Sequence, residues 1–378
     1  MSDSDPQPPG AHRALGRPML GSRRVTIIGA GSFGTALAVV FARAGIRASL
    51  QAHTAEQAHE LRSAGENRRY LPGIDLPGAL RIEALGDSLG RSELIFLAVP
   101  ARAFQGLVES LAATDLRPDA ALISLTKGLT SAAGAPPTTL LADRFGADRV
   151  ACIGGPAHAQ EMVRAGAALV AAARREQLAG SIAQLLGRAG LVCEISDDPL
   201  GVELAGAAKN AAALAAGATQ SQGPNAAGAA AGHIFGEVYR YAARLGARPE
   251  SFIGLAGTGD LVATALAAQS RNRRAGELLA QGVSAGEIPG RIGQAVEALE
   301  SVGLLASAIE SAGVQAPVLS ALGRLIGGEL PLQEWVALVR ATVPPPARFG
   351  ARRARRRRAS GGLGALLARI WQALLRRG

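Results

Sequence analysis

The sequence predicts an α/β domain with a mainly parallel, doubly wound sheet, followed by an all-α domain. Between Val25 and about Val202, short aliphatic or β-branched runs alternate with helical patterns. Fully apolar strands separated by helices are typical of a parallel sheet that is covered on both faces. After Leu200 the strand signals stop, and Ala-rich helical stretches continue to about Val343.

Six segments of the first domain have the composition of buried strands. They are 25–28, 47–50, 94–99, 122–125, 150–153 and 190–195. Glycine loops at 253–260, 281–290 and 327–331 interrupt the helical part. We therefore predict an α/β domain over 24–200 and a helical domain over 201–343.

The formal net charge of +10 is concentrated at the C-terminal end of the chain. Of 378 residues, 40 are Lys or Arg and 30 are Asp or Glu. From Arg348 onward there are ten arginines and no acidic residue, so positions 1–347 carry equal numbers of basic and acidic residues. The body is therefore neutral, and no nucleic-acid partner is predicted. Residues 1–23 are predicted to form a flexible leader, and 344–378 a separate Pro/Arg-rich segment.

Lysine is rare among the cationic residues: only Lys127 and Lys209 are lysines, and the other 38 cations are arginines. Burial can shift the pKa of a lysine, whereas a guanidinium stays charged in proteins. The two lysines are therefore candidates for sites where arginine would fail. The alternative at this stage is that they are two ordinary surface cations.

Cysteine usage and hydropathy indicate a cytoplasmic protein. Cys152 and Cys193 are too few for a disulfide framework and lack metal-ligand spacing. No run of about 18 apolar residues is free of polar breaks, so no transmembrane helix is predicted. The leader also lacks the apolar core of a signal peptide. We expect reduced cysteines and no metal.

The first predicted strand runs into a glycine-rich turn with the pattern GxGxxG, and a helical segment follows. Gly29 permits a tight turn, Gly31 lets the backbone approach a pyrophosphate, and Gly34 lets helix and strand pack closely. The N-terminus of the helix offers free N–H groups to the phosphates. Strand, turn and helix occur in order at the start of the domain, which predicts a Rossmann-like dinucleotide-binding domain.

The end of the second strand leaves the choice between NAD and NADP open. It reads LQAHT over 50–54, without the carboxylate that usually binds the ribose 2′-hydroxyl of NAD. A missing carboxylate also removes the repulsion against the 2′-phosphate of NADP. Arg68 and Arg69 are candidate partners for that phosphate, or they are solvated surface charges.

Several chemically active residues follow the strands or lie on the helices. Lys127 comes directly after the strand at 122–125, where ligands bind in open α/β sheets. Lys209 lies among small apolar residues of a helix, where desolvation would lower its pKa and suit it to general acid catalysis. Asp260, in a glycine-rich loop, is a plausible carboxylate partner. The segment SRNRR over 270–274 suits a phosphate monoester. Together these features predict hydride transfer to a small phosphorylated carbonyl compound.

From about Val25 to Arg340, these motifs and their order resemble the bacterial NAD(P)-dependent glycerol-3-phosphate dehydrogenases. The motifs are GAGSFGTALA, NRRYLPG, AVP, TKGL, GGPAHAQEM, AAKN, GTGDLVAT, QSRNRR and GQAVE. That family reduces dihydroxyacetone phosphate to sn-glycerol 3-phosphate, the backbone precursor of phospholipids. The resemblance implies this reaction, NAD or NADP as the coenzyme, and a Rossmann-like domain before a helical one. We also expect a homodimer.

The resemblance implies roles for individual residues, with Lys209 as the proton donor and acceptor. The implied substrate contacts are Lys127, Gly155, Lys209, Asp260, Ser270, Arg271 and Asn272. The implied cofactor-site positions, besides the three loop glycines, are Ser32, Phe33, His53, Lys127, Ala159, Arg271 and Glu297. In this arrangement Asp260 would orient Lys209, and Lys127 would hold the substrate or stabilise a developing alkoxide.

Three segments depart from the family pattern. After GGP the family usually has Thr or Ser and then an aromatic residue, but here Ala157 and His158 follow. One substrate hydroxyl contact is thus missing, and His158 either replaces it or faces solvent. The stretch 218–236 lacks the usual Thr-Arg-Gly helix pattern, although Asn225 remains. Ala295 stands where the family prefers a larger aliphatic residue.

Two other functions remain open. A related two-domain dehydrogenase acting on hydroxy acids or ketopantoate would also use a lysine on a helix, but SRNRR favours a phosphate. A non-catalytic dinucleotide-binding sensor would keep the glycine turn without needing Lys209, Asp260 and Arg271 together.

The C-terminal end, which the resemblance does not cover, predicts a basic amphipathic helix. Apolar residues recur at i, i+3, i+4, i+7, i+8 and i+11, at Leu363, Leu366, Leu367, Ile370, Trp371 and Leu374. A basic helix with such a face suits an anionic membrane surface. Residues 348–378 are therefore a candidate for membrane contact, with docking on the enzyme or its partner subunit, or disorder, as the alternatives.

Overall fold

The computed structural model describes residues 24–87, 89–130 and 134–345. Within these ranges the sheet has eight strands: β1 (Val25–Ile28), β2 (Ala48–Ala52), β3 (Arg81–Ala84), β4 (Leu94–Leu97), β5 (Ala121–Ser124), β6 (Val150–Gly154), β7 (Ala168–Ala173) and β8 (Val192–Ser196). Their order is β3-β2-β1-β4-β5-β6-β7-β8. Neighbouring strands are parallel except for β6 and β7, which are antiparallel. The predicted α/β class with a mainly parallel sheet is confirmed.

The strand order places a ligand-binding crevice beside β1. The segment β3-β2-β1-β4-β5-β6 has the order found in dinucleotide-binding domains, which reverses direction between β1 and β4. Ligands bind beyond the carboxyl ends of the strands at such a switch point. Ile28 and Leu97 end these two strands in register, so the loops that begin at Gly29 and Ala98 form the walls of the crevice.

Helices cover both faces of the sheet. They are α1 (Ser32–Arg43), α2 (Ala55–Ala64), α3 (Ala101–Ala112), α4 (Pro137–Phe145), α5 (Ala159–Ala165) and α6 (Glu176–Arg188). Alternate residues of each strand enter separate cores, as the period of two requires. Ile27 and Phe96 belong to one core, whereas Ile28 and Ile95 belong to the other. The predicted doubly wound arrangement is therefore confirmed.

The sequence prediction missed two strands, β3 and β7. The sequence of β7 is ALVAAA, and alanine favours helices and is depleted in strands. This strand forms because the sheet buries it between β6 and β8. The other missed strand, β3, has four residues at the sheet edge, and Ile82 is its one buried residue. Four residues with one buried position are too few to show an apolar pattern with a period of two.

In the described residues after β8, the structure is helical, as predicted. The helices are α7 (Pro199–Thr219), α8 (Pro224–Arg244), α9 (Pro249–Ile253), α10 (Asp260–Leu266), α11 (Arg271–Ala280), α12 (Ile288–Ile292), α13 (Glu297–Ser311), α14 (Pro317–Ile326) and α15 (Leu332–Ala341). The central helix is α7, which contacts β6, α8, α10, α11 and α13. Its small side chains permit this: a Cβ on Gly217 would lie 2.1 Å from the carbonyl oxygen of Arg273 in α11.

The divergent stretch 218–236 spans the end of α7 and part of α8, and it buries Ala227, Ala230 and Ile234. The predicted leader 1–23 and the predicted amphipathic segment 348–378 lie outside the described residues. Within the described residues, no single helix is long and apolar enough to cross a membrane. The segments Pro249–Leu266 and Arg271–Ala280, which are bent by 57° relative to each other, reach that length and apolar composition only when taken together.

Candidate active site

The glycine-rich turn after β1 has the shape needed to admit a phosphate group. Gly29 has a φ of +110°, and a Cβ there would lie 2.4 Å from the carbonyl oxygen of Ala98. A Cβ on Gly34 would lie 2.1 Å from the carbonyl oxygen of Gly29, so this glycine lets α1 approach the turn. Gly31 differs, because a Cβ there would meet no atom within 4 Å. As the N-cap it also has no side chain to occupy the first N–H groups of α1, which leaves them to an anion.

An elongated cavity of about 700 Å³ begins at this turn. It passes the end of β2 and the loops after β4 and β5, and it reaches the start of α11 and of α13. The predicted cofactor-site residues that line it are Gly29, Gly31, Ser32, Phe33, His53, Arg271 and Glu297. Gly34, Lys127 and Ala159 are not among its lining residues. A long cavity that starts at free helix N–H groups fits a dinucleotide.

Both lysines of the chain meet at one carboxylate. The Nζ of Lys127 lies 2.6 Å from Oδ2 of Asp260, and the Nζ of Lys209 lies 3.3 Å from Oδ1. Lys127 also donates a hydrogen bond of 3.2 Å to the carbonyl oxygen of Gly155. The side chains of Lys209 and Asp260 are 9% and 3% exposed, whereas that of Lys127 is 21% exposed. The structure thus brings together four of the residues predicted to contact substrate.

This cluster adjoins the elongated cavity. Lys127 lines a second cavity of about 200 Å³, which shares Arg102, Ala295 and Glu297 with the first. Asn210, the residue after Lys209 on α7, donates to the backbone oxygen of Lys127 over 3.3 Å and to Glu297 over 3.1 Å. The lysine cluster and the cavity are therefore joined through shared walls and direct hydrogen bonds.

Burial and charge set the protonation of the cluster. Burial lowers the pKa of Lys209 to about 8, because Asp260 compensates only in part for the lost hydration and Lys127 repels the ammonium. Burial would raise the pKa of Asp260, but the two neighbouring ammonium groups hold it below its ordinary value. The site therefore combines an ionised carboxylate with a lysine proton that can be released near neutral pH.

The backbone before Asp260 is not the loop that the sequence predicted for 253–260. Leu255–Gly259 form a π-helical turn between α9 and α10, and Asp260 begins α10. This wide turn requires a glycine at 257, since a Cβ there would lie 2.1 Å from the carbonyl oxygen of Phe252. Isolated π turns are rare and often mark functional sites. Here the turn starts α10 against α7, where Asp260 meets Lys209.

Thr264 is a site residue that the sequence prediction missed. It lies one turn after Asp260 on α10 and is 2% exposed. Its Oγ1 accepts a hydrogen bond of 3.0 Å from Lys209 and donates one of 3.4 Å to Oδ1 of Asp260. The sequence shows that Thr264 lies four residues after Asp260. This spacing predicts a place in the site only when α10 is known to pack on α7.

The SRNRR segment begins α11 beside the cluster, and two of its predicted phosphate contacts bond within the protein. Ser270 caps α11 by accepting a hydrogen bond from the backbone N–H of Arg273 over 3.4 Å. Asn272 donates to Oδ1 of Asn210 over 2.8 Å and accepts from the backbone N–H of Ala298 over 3.2 Å. These bonds fix the first turn of α11 against α7 and α13.

Arg271 has a different setting from its two neighbours. It lines the elongated cavity, and its Nη1 atom donates to the side chain of Gln294 over 3.3 Å and to the backbone oxygen of Ala295 over 3.1 Å. These contacts hold the guanidinium by one of its nitrogen atoms at the wall between the cavities. Arg271 is therefore the member of this segment whose positive charge faces the site.

Comparison with known proteins agrees with this geometry. Residues 24–179 match the family described as NAD-dependent glycerol-3-phosphate dehydrogenase N-terminus, and residues 198–337 match the corresponding C-terminus family. A relative from Methylococcus capsulatus named glycerol-3-phosphate dehydrogenase (NAD(P)+) is 34% identical over 328 residues, covering 85% of this chain and 98% of the relative. The chain belongs to this family.

A second relative and a solved structure agree with this membership. A glycerol-3-phosphate dehydrogenase (NAD(P)+) from Halorhodospira halophila is 35% identical over 317 residues, covering 82% of this chain and 95% of that protein. The crystal structure of glycerol-3-phosphate dehydrogenase from Coxiella burnetii has a TM-score of 0.80 at 30% identity, covering 85% of this chain and 99% of that one.

The departures from the pattern of the glycerol-3-phosphate dehydrogenases lie at the edge of the site. His158 is half-buried rather than facing solvent, with Nε2 3.4 Å from the backbone oxygen of Ala263 in α10. Ala157 is partly buried and packs against the core of the sheet. Ala295 lines both cavities. These substitutions leave the contacts among the two lysines and Asp260 in place.

Proposed function

We propose that the protein reduces dihydroxyacetone phosphate to sn-glycerol 3-phosphate with NADH or NADPH. The observation that carries this proposal is the buried cluster of Lys209, Asp260 and Lys127 beside the cavity that begins at the glycine-rich turn. The names of the relatives support the substrate. Residues 24–200 would bind the dinucleotide and residues 201–343 the substrate.

The dinucleotide supplies the hydride when it is bound, and Lys209 donates or accepts the proton. Reduction adds a hydride to the carbonyl carbon and a proton to the carbonyl oxygen. The ammonium of Lys209 donates that proton, and in the reverse reaction the neutral amine accepts the hydroxyl proton of sn-glycerol 3-phosphate. Asp260 and Thr264 hold Nζ of Lys209 in place through their hydrogen-bonding contacts.

The other cations of the site act on the negative charge of the substrate. Lys127, held by Asp260 and Gly155, stabilises the negative charge that develops on the carbonyl oxygen. Arg271 binds the phosphate group, for which a guanidinium is suited by its planar array of donors. Ser270, the N-cap of this helix, and Asn272, in its first turn, complete the phosphate site in this proposal.

A substrate panel tests this function against its alternatives. Oxidation of NADH and of NADPH is followed with dihydroxyacetone phosphate, ketopantoate and simple keto acids. We expect turnover with dihydroxyacetone phosphate alone, because the phosphate supplies the charge that Arg271 binds. Turnover with ketopantoate or keto acids instead would indicate a related dehydrogenase. Dinucleotide binding without turnover of any substrate would indicate a sensor.

The cellular setting is a second part of the proposal. A cytoplasmic homodimer would deliver sn-glycerol 3-phosphate to phospholipid synthesis, and residues 348–378 would hold it at an anionic membrane through their arginines and apolar residues. Flotation with anionic vesicles should recover the full chain but not a 1–347 truncation, and neither should float with neutral vesicles. Equal flotation of both proteins would exclude this role of the tail. Light scattering of the full chain tests the dimer, and a monomeric mass would contradict it.

A further inference from the structure

The end of the elongated cavity nearest β2 is suited to one form of the dinucleotide. A pyrophosphate at Gly31 places the adenosine ribose near the end of β2. The residues that line the cavity there are Gln51, Ala52, His53, Gln57, Arg69 and Tyr70. None of them is a carboxylate, and the one carboxylate among all the described lining residues is Glu297, which binds Asn210 of α7. The end near β2 therefore lacks the usual acceptor for a ribose 2′-hydroxyl.

The segment that carries Arg69 is anchored to the glycine-rich turn itself. Asn67 is 3% exposed, and its Nδ2 donates to the backbone oxygen of Ala30 over 2.9 Å and to Thr35 Oγ1 over 2.8 Å. Its Oδ1 accepts a hydrogen bond of 3.3 Å from the backbone N–H of Tyr70. Asn67 thus ties the backbone on either side of Arg69 to the loop that would hold the pyrophosphate.

The structure separates Arg69 from its neighbour Arg68. The side chain of Arg68 is 78% exposed and pairs with Glu66 over 3.3 Å, and it does not line the cavity. Arg69 lines the cavity, with its guanidinium carbon 5.1 Å from the centre of the Tyr70 ring. Among the described residues, no carboxylate forms an ion pair with Arg69. Its charge is therefore available to a ligand, and the ring orients it.

We propose that the protein prefers NADP(H) to NAD(H) and that Arg69 binds the 2′-phosphate. This inference rests on the proposed dehydrogenase function. The guanidinium provides several donors to a phosphate dianion, and the cavity wall near β2 contributes no opposing negative charge. The side chains of His53 and Gln57 also line this end of the cavity.

Coenzyme kinetics of Arg69→Ala and Arg68→Ala provide the first test. The unmodified protein should show a higher kcat/KM with NADPH than with NADH. Arg69→Ala should lower kcat/KM for NADPH about tenfold to a hundredfold through KM, the loss expected for charged hydrogen bonds. Its kcat/KM with NADH should stay within about twofold, because NADH has no 2′-phosphate. Arg68→Ala removes an equal charge one residue away and should leave both coenzymes unaffected.

A binding measurement separates this inference from the proposed function. Calorimetry with adenosine 2′,5′-bisphosphate and with AMP requires no turnover. The unmodified protein should bind the bisphosphate more tightly, Arg69→Ala should lose that difference, and Arg69→Lys should recover part of it. A protein without reductase activity but with this binding pattern would overturn the function and keep the 2′-phosphate site.

Three results would overturn the Arg69 assignment. They are equal affinity of the unmodified protein for the two adenosine ligands, an equal loss for NADPH in Arg68→Ala and Arg69→Ala, and an equal loss for NADH and NADPH in Arg69→Ala. Because Arg69 is exposed, its replacement should leave the melting temperature unchanged. If Arg69→Ala does unfold, Arg69→Lys and Arg69→Gln decide the same comparison.

Discussion

Lys209 and Asp260 face each other across the contact between α7 and α10, with Nζ of the lysine 3.3 Å from Oδ1 of the carboxylate. Asp260 also binds Lys127 at the shorter distance of 2.6 Å. Because one carboxylate serves two cations, Lys209 receives only part of the compensation that its burial requires. The result is a lysine with a pKa of about 8, which can donate a proton more readily than an exposed lysine.

Replacement of Lys209 should remove turnover and leave dinucleotide binding intact. We expect Lys209→Ala to lower kcat by about 10²- to 10⁴-fold, the range for loss of a general acid. Lys209 does not line the elongated cavity, so NADPH should bind with unchanged affinity. Steady-state kinetics and titration of NADPH fluorescence measure the two quantities on one protein sample.

Lys209→Arg is the matched variant, since it keeps the positive charge but has no releasable proton near neutral pH. It should be as inactive as Lys209→Ala. Undiminished turnover in Lys209→Ala, or recovery in Lys209→Arg, would contradict the role of Lys209 as the acid.

The two directions of the reaction should depend on pH in opposite ways. Reduction needs the protonated form of Lys209, so its kcat/KM should fall as the pH rises through about 8. Oxidation of sn-glycerol 3-phosphate needs the neutral amine, so its kcat/KM should rise over the same range. Rate profiles from pH 6 to about 9.5 in both directions test this, and parallel profiles would exclude Lys209 as the titrating group.

Substitution by alanine should have different effects at Gly31 and at Gly34 of the glycine-rich segment after β1. Gly31→Ala adds a methyl group to open space, so the protein should keep its melting temperature but bind NADPH less tightly. Gly34→Ala places a methyl group against the carbonyl oxygen of Gly29 and should lower the melting temperature. Thermal unfolding and NADPH titration of both variants provide the comparison. Equal affinity of Gly31→Ala and the unmodified protein would show that no phosphate lies over Gly31.

The residues of the candidate site that could be predicted from the sequence are those whose type or pattern stands out in this chain. Lys127 and Lys209 could be selected because lysine is so rare here, and the glycine-rich turn because strand, turn and helix follow in order. The mainly parallel sheet was predicted from the alternation of apolar strands and helical patterns. These patterns lie within short segments, so they can be recognised without knowledge of the tertiary structure.

The unpredicted part depends on contacts between distant segments. Thr264 joins the site only because α10 packs on α7, and β7 is a strand only because the sheet surrounds it. Arg68 and Arg69 are adjacent in the chain and chemically equal. Their different settings arise from Glu66, which pairs with Arg68, and from Asn67, which anchors the segment to the glycine-rich turn.

A buried carboxyl group on α7 should make stability depend on pH. Glu203 is 5% exposed and accepts hydrogen bonds from the backbone N–H of Thr138 over 3.1 and 3.2 Å, at the start of α4. The Thr138 hydroxyl also donates to it. Burial outweighs these bonds and raises the pKa of Glu203 from 4.5 to about 8. We therefore expect Glu203 to hold its proton in the folded protein at pH 7.

Because the pKa of Glu203 is raised in the folded protein, the free energy of unfolding should fall as the pH rises. Below pH 4.5 the group is protonated in both states, and its contribution to stability is fully present. As the pH rises from 4.5 to about 8, only the unfolded chain loses the proton, so the free energy of unfolding should fall by roughly 3 to 5 kcal/mol. Above about 8 both states are ionised, and the dependence ends.

Glu203→Gln should abolish this part of the pH dependence, because an amide of similar shape does not titrate. Denaturant unfolding at pH 5, 6.5 and 8 should therefore give a free-energy difference between the variant and the unmodified protein that grows with pH in favour of the variant. Glu310→Gln, at an exposed position of α13, should follow the unmodified protein at all three values. A constant difference for Glu203→Gln would mean that Glu203 is ionised in the folded protein throughout this range. The Thr138 bonds would then outweigh its burial.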